Sequence, residues 1–373
     1  MLLERSVPAT ADGLGADGRA YRRLMERPAA DWQKLLDSLL GPMRVPRHPL
    51  ALARFAPAVL PAVTLARRAF HGEPARALLV GLAAHITLPL EWATTAAYGL
   101  MLGLLGHAVG WPIAQGGSQA IADAMAGYLR SLGGTIETGV HVQSMRELPP
   151  ARAYLFDVTP RALLSIAGDR LPQRYRVAIG RFRYGQGVFK VDYALLEPVP
   201  WRSADARRAG TLHLGGTLDE IALSERAIWA GEHPQRPYVL VSQPSLFDRS
   251  RAPEGKHTLW AYCHVPTGST MDMTERIERQ IERFAPGFRD CVLARHTMNT
   301  VAYETYNPNF IGGDINAGAQ TWRQLFTRPT IRLNPYTTPQ PDIFLCSAST
   351  PPGGGVHGMC GFHAARAVLK LRF

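Results

Sequence analysis

The sequence predicts a mixed α/β fold, α+β in its middle third, and three patterns predict it. The first hundred residues are rich in Ala and Leu and are cut by prolines into helix-sized pieces. Strand-to-helix units follow, and another closes the chain. Between them, from Phe182 to Pro266, apolar residues alternate with period two. With 373 residues and 46% hydrophobic content, the chain has the material for about two domains and a substantial core.

The helical part opens with "AYRRLMERPAADWQKLLDSLLG", where Leu24, Trp32, Leu35, Leu36 and Leu39 recur near helical spacing until Gly41-Pro42 stops them. From Pro49 to Leu90, Pro57, Pro61, Pro74 and Pro89 punctuate short helices. Trp92 to Ile113 carries no formal charge over a length that would span a bilayer. Four glycines dilute it, His107 interrupts it and Pro112 closes it, so a buried or cavity-lining helix is the expectation.

Ser118 is placed to cap a helix whose Ile121, Met125, Tyr128, Leu129 and Leu132 share one face, and Gly133-Gly134 ends it. "TIETGVHVQSM" then predicts a strand, with Ile136, Val140 and Val142 on one side. Tyr154 to Val158 predicts a second, with Thr159 as cap and Pro160 as first residue of the next helix. "GVFKVDYAL", "YVLVSQPSLF" and "HTLWAYCHVP" predict an antiparallel sheet. Asp272 to Glu275 has the capping-box pattern before a helix faced by Ile277, Ile281 and Phe284. The end reads strand, loop, helix: "DIFLCSAS", "TPPGGGVHG", "MCGFHAARAVLKL". These shifts divide the chain at 1–113, 114–180, 181–300 and 301–373.

The net charge is +11, but the arginines are scattered singly and no basic block carries interleaved aromatics, so nucleic acid is not an expected partner. The four cysteines form no Cys-x-x-Cys pair, and the opening residues lack the apolar core of a secretory signal; the expected compartment is the cytoplasm. Cys360 and His363 stand one helical turn apart, but two ligands make no metal site, and none is expected.

Serine-elbow, phosphate-loop and His-Glu-x-x-His spacings are missing. Gly13-Leu-Gly15-Ala-Asp-Gly18 matches the dinucleotide fingerprint, but "VPATAD" before it is too polar and proline-broken to be the buried strand the fingerprint needs, which predicts a solvent loop. The C-terminal loop has the context the first lacks. A strand precedes Gly353, Gly354 and Gly355, a helix follows, and Gly358 and Gly361 keep its first turn bare. Such a loop lets a flat or anionic ligand approach the backbone, or is simply a close-packed turn.

"STPPGGGVHGMCGFHAARAV" resembles the C-terminal motif of the phytoene-desaturase-like FAD-dependent oxidoreductases, a family that includes carotenoid desaturases and isomerases and the pyridine nucleotide-disulphide oxidoreductase domain 2 proteins. "GWPIAQGGSQAIADAMAGYLRSLGGTIETGVHV" and "YNPNFIGGDINAGA" are similar to two further family segments, so the likeness covers nearly the whole chain. The resemblance implies a Rossmann-like FAD-binding domain interleaved with a substrate domain. It implies flavin contacts from Gly353, Gly354, Gly355, Val356, His357, Gly358 and Met359. It also places the strand of Val142 by the adenine end. His357 is the candidate to tune the ring or touch substrate, with a positioning role as the competing reading.

Members of the family begin with a strand, the Gly-x-Gly-x-x-Gly turn, a helix and a second strand; this sequence starts downstream of that unit. The expected FAD-binding domain is therefore incomplete, with a sheet edge for another chain to cover. The implied activity is oxidation or isomerisation of an apolar substrate, polyene or isoprenoid, with hydride passing to FAD. The alternatives are a truncated non-catalytic homologue or a subunit needing a separate dinucleotide-binding half, as a hetero- or homo-oligomer, and a binding module for apolar ligands or a membrane surface.

Overall fold

The computed structural model describes residues 1–373. Its first layer is helical: α1 (Val7–Gly13), α2 (Gly18–Ala30), α3 (Trp32–Leu39), α4 (Pro49–Arg54), α5 (Ala62–Ala69), α6 (Glu73–Ala83) and α7 (Ala96–Ala108). The uncharged stretch from Trp92 thus yields a helix of 13 residues. No helix is long and apolar enough to cross a membrane. The glycines of α7 let helices approach closely. A Cβ on Gly99 would stand 2.8 Å from the Leu79 carbonyl of α6, and one on Gly103 would stand 2.8 Å from the Met25 methyl of α2. His107, on the same helix, meets the Tyr21 hydroxyl at 2.6 Å.

The rejected triplet at Gly13 is no dinucleotide turn. It forms a corner between α1 and α2 that is exposed at Gly13, Gly15 and Ala16, as expected of a solvent loop, and buried at Asp17 and Gly18, where any side chain on Gly18 would strike the Ala11 carbonyl. The buried Asp17 carboxylate there accepts the amides of His71 (2.9 Å) and Gly72 (2.7 Å), fixing the approach to α6.

Next come α8 (Gln119–Ser131), β1 (Tyr154–Phe156), α9 (Pro160–Ala167) and α10 (Gln173–Gly180). Ser118 precedes α8 as expected, without a side-chain capping bond. The predicted strand at Ile136 to Val142 is not formed; residues 135–143 have no regular structure and pair with nothing. The physical reason is that a strand exists only through a ladder, and the chain offers this segment no partner.

The middle of the chain gives β2 (Gly187–Leu195), β3 (Thr211–Leu214), α11 (Leu218–Trp229), β4 (Val239–Ser242), β5 (His257–Val265), α12 (Thr274–Phe284) and β6 (Val292–Met298). The five strands form an antiparallel sheet in the order β3-β4-β5-β2-β6. One face packs on α12 through Ile277 and Ile281. Asp272 accepts the Thr274 amide at 2.8 Å just ahead of α12, whose N-cap is Met273 without a side-chain capping bond, so the predicted capping box is not formed. The opposite face, which carries His213 and His264, looks toward α6 and α11. Last come α13 (Thr300–Tyr306), α14 (Trp322–Thr327), β7 (Ile343–Leu345) and α15 (Met359–Arg372). β7 returns to lie parallel to β1, in register Tyr154–Ile343 and Phe156–Leu345.

Candidate functional site

β1 and β7 run side by side, so the loops that leave their carboxyl ends emerge together, the usual place for a ligand in a parallel α/β layer. One of them is the glycine loop. Gly353 (φ 111°), Gly355 (φ 148°) and Gly358 (φ 63°) occupy left-handed backbone. A Cβ on Gly354 would sit 3.1 Å from the Asn316 carbonyl, so this glycine serves packing. Gly358 and Gly361 differ: nothing lies within 4 Å of where their side chains would be. The amides of Cys360 and Gly361, in the first turn of α15, have no acceptor in the protein. The loop therefore combines both readings, packed at its start and open where the helix begins.

His357 is half-buried and its Nδ1 accepts the Met359 amide at 3.1 Å. Burial lowers its pKa below the usual imidazole value, which keeps the accepting lone pair available at neutral pH. That geometry is a positioning role: the ring caps α15 and shapes the loop. Val356 is 97% exposed and Met359 half-buried. Cys360 is held inside, its Sγ donating toward the Thr350 and Gly353 carbonyls, and burial raises its pKa. His363 meets the Leu40 carbonyl at 3.0 Å and so ties α15 to the helical layer.

Beneath the loop lies a buried polar knot that the sequence did not announce. Arg328 is wholly buried and donates to the carbonyls of Ala348 (2.9 Å) and Ala317 (3.3 Å) and to Gln320 Oε1 (3.3 Å). Asp314, also buried, accepts the amides of Gly185 (2.7 Å), Asn316 (2.8 Å) and Gly318 (2.8 Å). Desolvation raises the Asp314 pKa, against the pull of those amides and of Arg328. Burial likewise lowers that of Arg328, opposed by Tyr98 and Asp314. Ser349 Oγ completes the knot by donating to Ala317 O at 2.9 Å. The signature at Tyr306 to Ala319 is thus the shelf on which the glycine loop rests. The only sequence signal was Asp314 within that segment; Arg328 had none.

Val142 lies elsewhere. It lines a crevice of about 900 Å³ between the irregular segment 139–142 and β1, with Leu155, Asp157 and Asn309 on the facing wall. None of Gly353 to Met359 lines this crevice. Val142 reaches the crevice from an irregular segment, since the strand predicted for it is not formed. α8 buries no residue at all, and Met125, Tyr128 and Leu132 are 67%, 68% and 67% exposed.

A second cavity, of about 1300 Å³, opens between α6, the end of α7 and the edge strand β3. Its walls include Leu82, Leu102, Trp111, Trp201, Leu212 and Phe284. Parts of α6 and α7 before Ile113 line this space, and its walls also carry the charged residues Glu4, Arg5, Glu73, Arg202, Asp205, Arg208 and Arg283.

Comparison with known proteins agrees with the fold. The chain superposes on an oxidoreductase from Methanosarcina mazei with a TM-score of 0.58 at 15% identity, covering 86% of this chain and 71% of that one. It superposes on a putrescine oxidase redesigned in its cofactor binding with a TM-score of 0.56 at 14% identity, covering 95% and 76%. The chain shares the fold of these two structures. In sequence, the chain is similar to the pyridine nucleotide-disulphide oxidoreductase domain 2 proteins, the group its terminal motif resembles. It is 25% identical to those of Rattus norvegicus and Mus musculus over 81% of its length. It spans 59% of the length of those relatives. A 4,4'-diapolycopen-4-al dehydrogenase from Metabacillus indicus is 28% identical over 34% of this chain and 26% of its own. No family model matches.

Proposed function

We propose that this chain supplies the flavin-facing loop and the substrate chamber of an FAD-dependent oxidoreductase that acts on an apolar, polyene- or isoprenoid-like molecule. The observation that carries the reading is the bare start of α15, where Gly358, Gly361 and the unclaimed amides of Cys360 and Gly361 leave room and donors for a group with negative charge. These features fit one end of FAD. When bound, FAD supplies the hydride acceptor. The chain's own contribution is to present α15 amides to the cofactor, to hold the loop through His357 and Arg328, and to line a chamber whose apolar wall includes Leu82, Leu102, Trp111 and Trp201. The polyene aldehyde named for the Metabacillus indicus relative supports the substrate class.

The test is a titration of the purified chain with FAD. Wild-type protein is expected to retain visible flavin absorbance after gel filtration, and Gly358→Val to bind at least about tenfold more weakly. Wild-type protein that stays colourless would sink the reading.

A second reading, in which the chain needs a separate dinucleotide-binding half, is favoured by α8 and the crevice beside β1. Each large apolar side chain gains about 1.5–3 kcal/mol on burial, so a face of five exposed ones is strongly driven toward a partner. β1 has a neighbour on one edge only, and the crevice lies between it and an unpaired extended segment. On this reading the isolated wild-type chain self-associates through α8. Met125→Lys with Leu129→Lys is expected to be monomeric in sedimentation and to change stability by less than about 0.5 kcal/mol per site, because both residues are exposed. Sedimentation of the wild type as a monomer removes the homo-oligomeric form of this reading.

A further inference from the structure

The wall of the larger cavity mixes apolar residues with charged ones, Glu73, Asp205, Arg208 and Arg283 among them, and carries a histidine pair that no step above uses. His85, just after α6, and His213, on β3, meet Nε2 to Nε2 at 2.9 Å, and both line the space. Two imidazoles in that contact share one proton, so one ring donates through Nε2 and the other accepts. It follows that one Nδ1 carries a hydrogen and the other a lone pair. Neither Nδ1 has a hydrogen-bond partner in the protein. The pair therefore offers one donor and one acceptor, a set that matches an alcohol or a carbonyl.

The rings are held in place from behind. His213 packs edge-on against His85 with centroids 4.8 Å apart, and against Tyr238 at 5.6 Å. Tyr238 is anchored by its hydroxyl, which donates to the Gly81 carbonyl at 2.8 Å. Gly81 also leaves space for the ring, since a Cβ there would lie 3.4 Å from His213 Nδ1. Burial depresses the pKa of His213 to about 4 and that of His85 well below its ordinary value, so both rings are neutral at physiological pH.

We propose that the His85–His213 pair is the recognition site for the hydroxyl or carbonyl oxygen of an otherwise apolar ligand seated in this cavity. The proposal rests on the reading of the cavity as the substrate chamber and narrows the substrate to an apolar alcohol, aldehyde or ketone. A hydrocarbon would leave both Nδ1 atoms without a partner, and a site built to bond an oxygen discriminates strongly against a ligand that lacks one.

The test uses the full-length chain with 1-dodecanol, dodecanal and dodecane, followed through the fluorescence of Trp111 and Trp201 on the cavity wall. In a purely apolar cavity dodecane, the least soluble of the three in water, binds most tightly. The expected result is the reverse, with alcohol and aldehyde at least about tenfold tighter than the alkane. His85→Phe and His213→Phe should each return the order to that of an apolar cavity. Because a variant that unfolds would decide nothing, imidazole ¹⁵N shifts are recorded on wild-type protein. The Nδ1 signals of the pair should move on addition of 1-dodecanol and stay in place with dodecane. Tighter binding of dodecane, or unmoved Nδ1 signals with the alcohol bound, overturns the proposal. Flavin is not needed for any of these readings, so loss of FAD binding would defeat the function proposed above while leaving this result to stand or fall separately.

Discussion

Replacing Arg328 by methionine is expected to destabilise the chain by about 3–5 kcal/mol, the usual cost of removing one member of a buried, hydrogen-bonded charge system. The methionine fills similar volume but donates nothing. The Ala348 carbonyl and Gln320 Oε1 then lose the donor that Arg328 provides, and Asp314 loses its only nearby positive charge in a site that burial already makes unfavourable for a carboxylate. Those groups join the glycine loop to its shelf, so the loop should loosen with the loss. Urea unfolding of wild-type and Arg328→Met proteins measures the effect, and amide exchange at Ser347 to Gly358 localises it. An unchanged midpoint would mean that the knot is not what holds the loop. Arg328→Lys keeps the charge but not the fork of donors, and should recover only part of the loss.

The second large effect is an acid window of instability set by the histidine pair. His213 has an ordinary pKa of 6.5 and a folded value of about 4. Between those two pH values the unfolded chain binds a proton that the folded chain refuses. Stability is therefore unaffected above pH 6.5 and falls as pH drops from there toward 4. Across the window His213 accounts for about 3 kcal/mol, and His85 acts in the same direction. Tyr238 and the buried His264–Glu225 pair (2.8 Å) pack behind the two rings, and Glu73 and Arg283 line the same cavity. His85→Phe with His213→Phe should flatten this part of the profile. Urea midpoints taken at intervals from neutral pH to the foot of the window provide the check, and a flat wild-type profile would refute the assignment.

Much of the fold was legible because its signals are local. The alternation in β2 and β5, the proline-cut helices and the strand, loop and helix at the C-terminus all specify their own backbone over short spans. The loop at Gly353 was legible for the same reason, since runs of glycine announce backbone that other residues resist. The segment at Ile136 to Val142 misled because its alternation is a statement about a sheet, and the sheet has no place for it in this chain. His85 and His213 were illegible because they lie 128 positions apart and meet only when β3 packs against the end of α6.

Periodicity, proline and glycine placement and the terminal motif were enough to decide most element types, the mixed α/β class and the position of the glycine loop. They act through a few neighbouring residues, whose backbone preferences and apolar spacing are written in order along the chain. Packing alone decided the rest. It turned Gly13 to Gly18 into a helical corner, gave His357 a capping role, buried Arg328 under the loop and left α8 bare. It also brought two imidazoles to 2.9 Å in a cavity wall. Those outcomes depend on which distant surfaces share a core, and burial, shared protons and unpaired edges exist only once those surfaces meet.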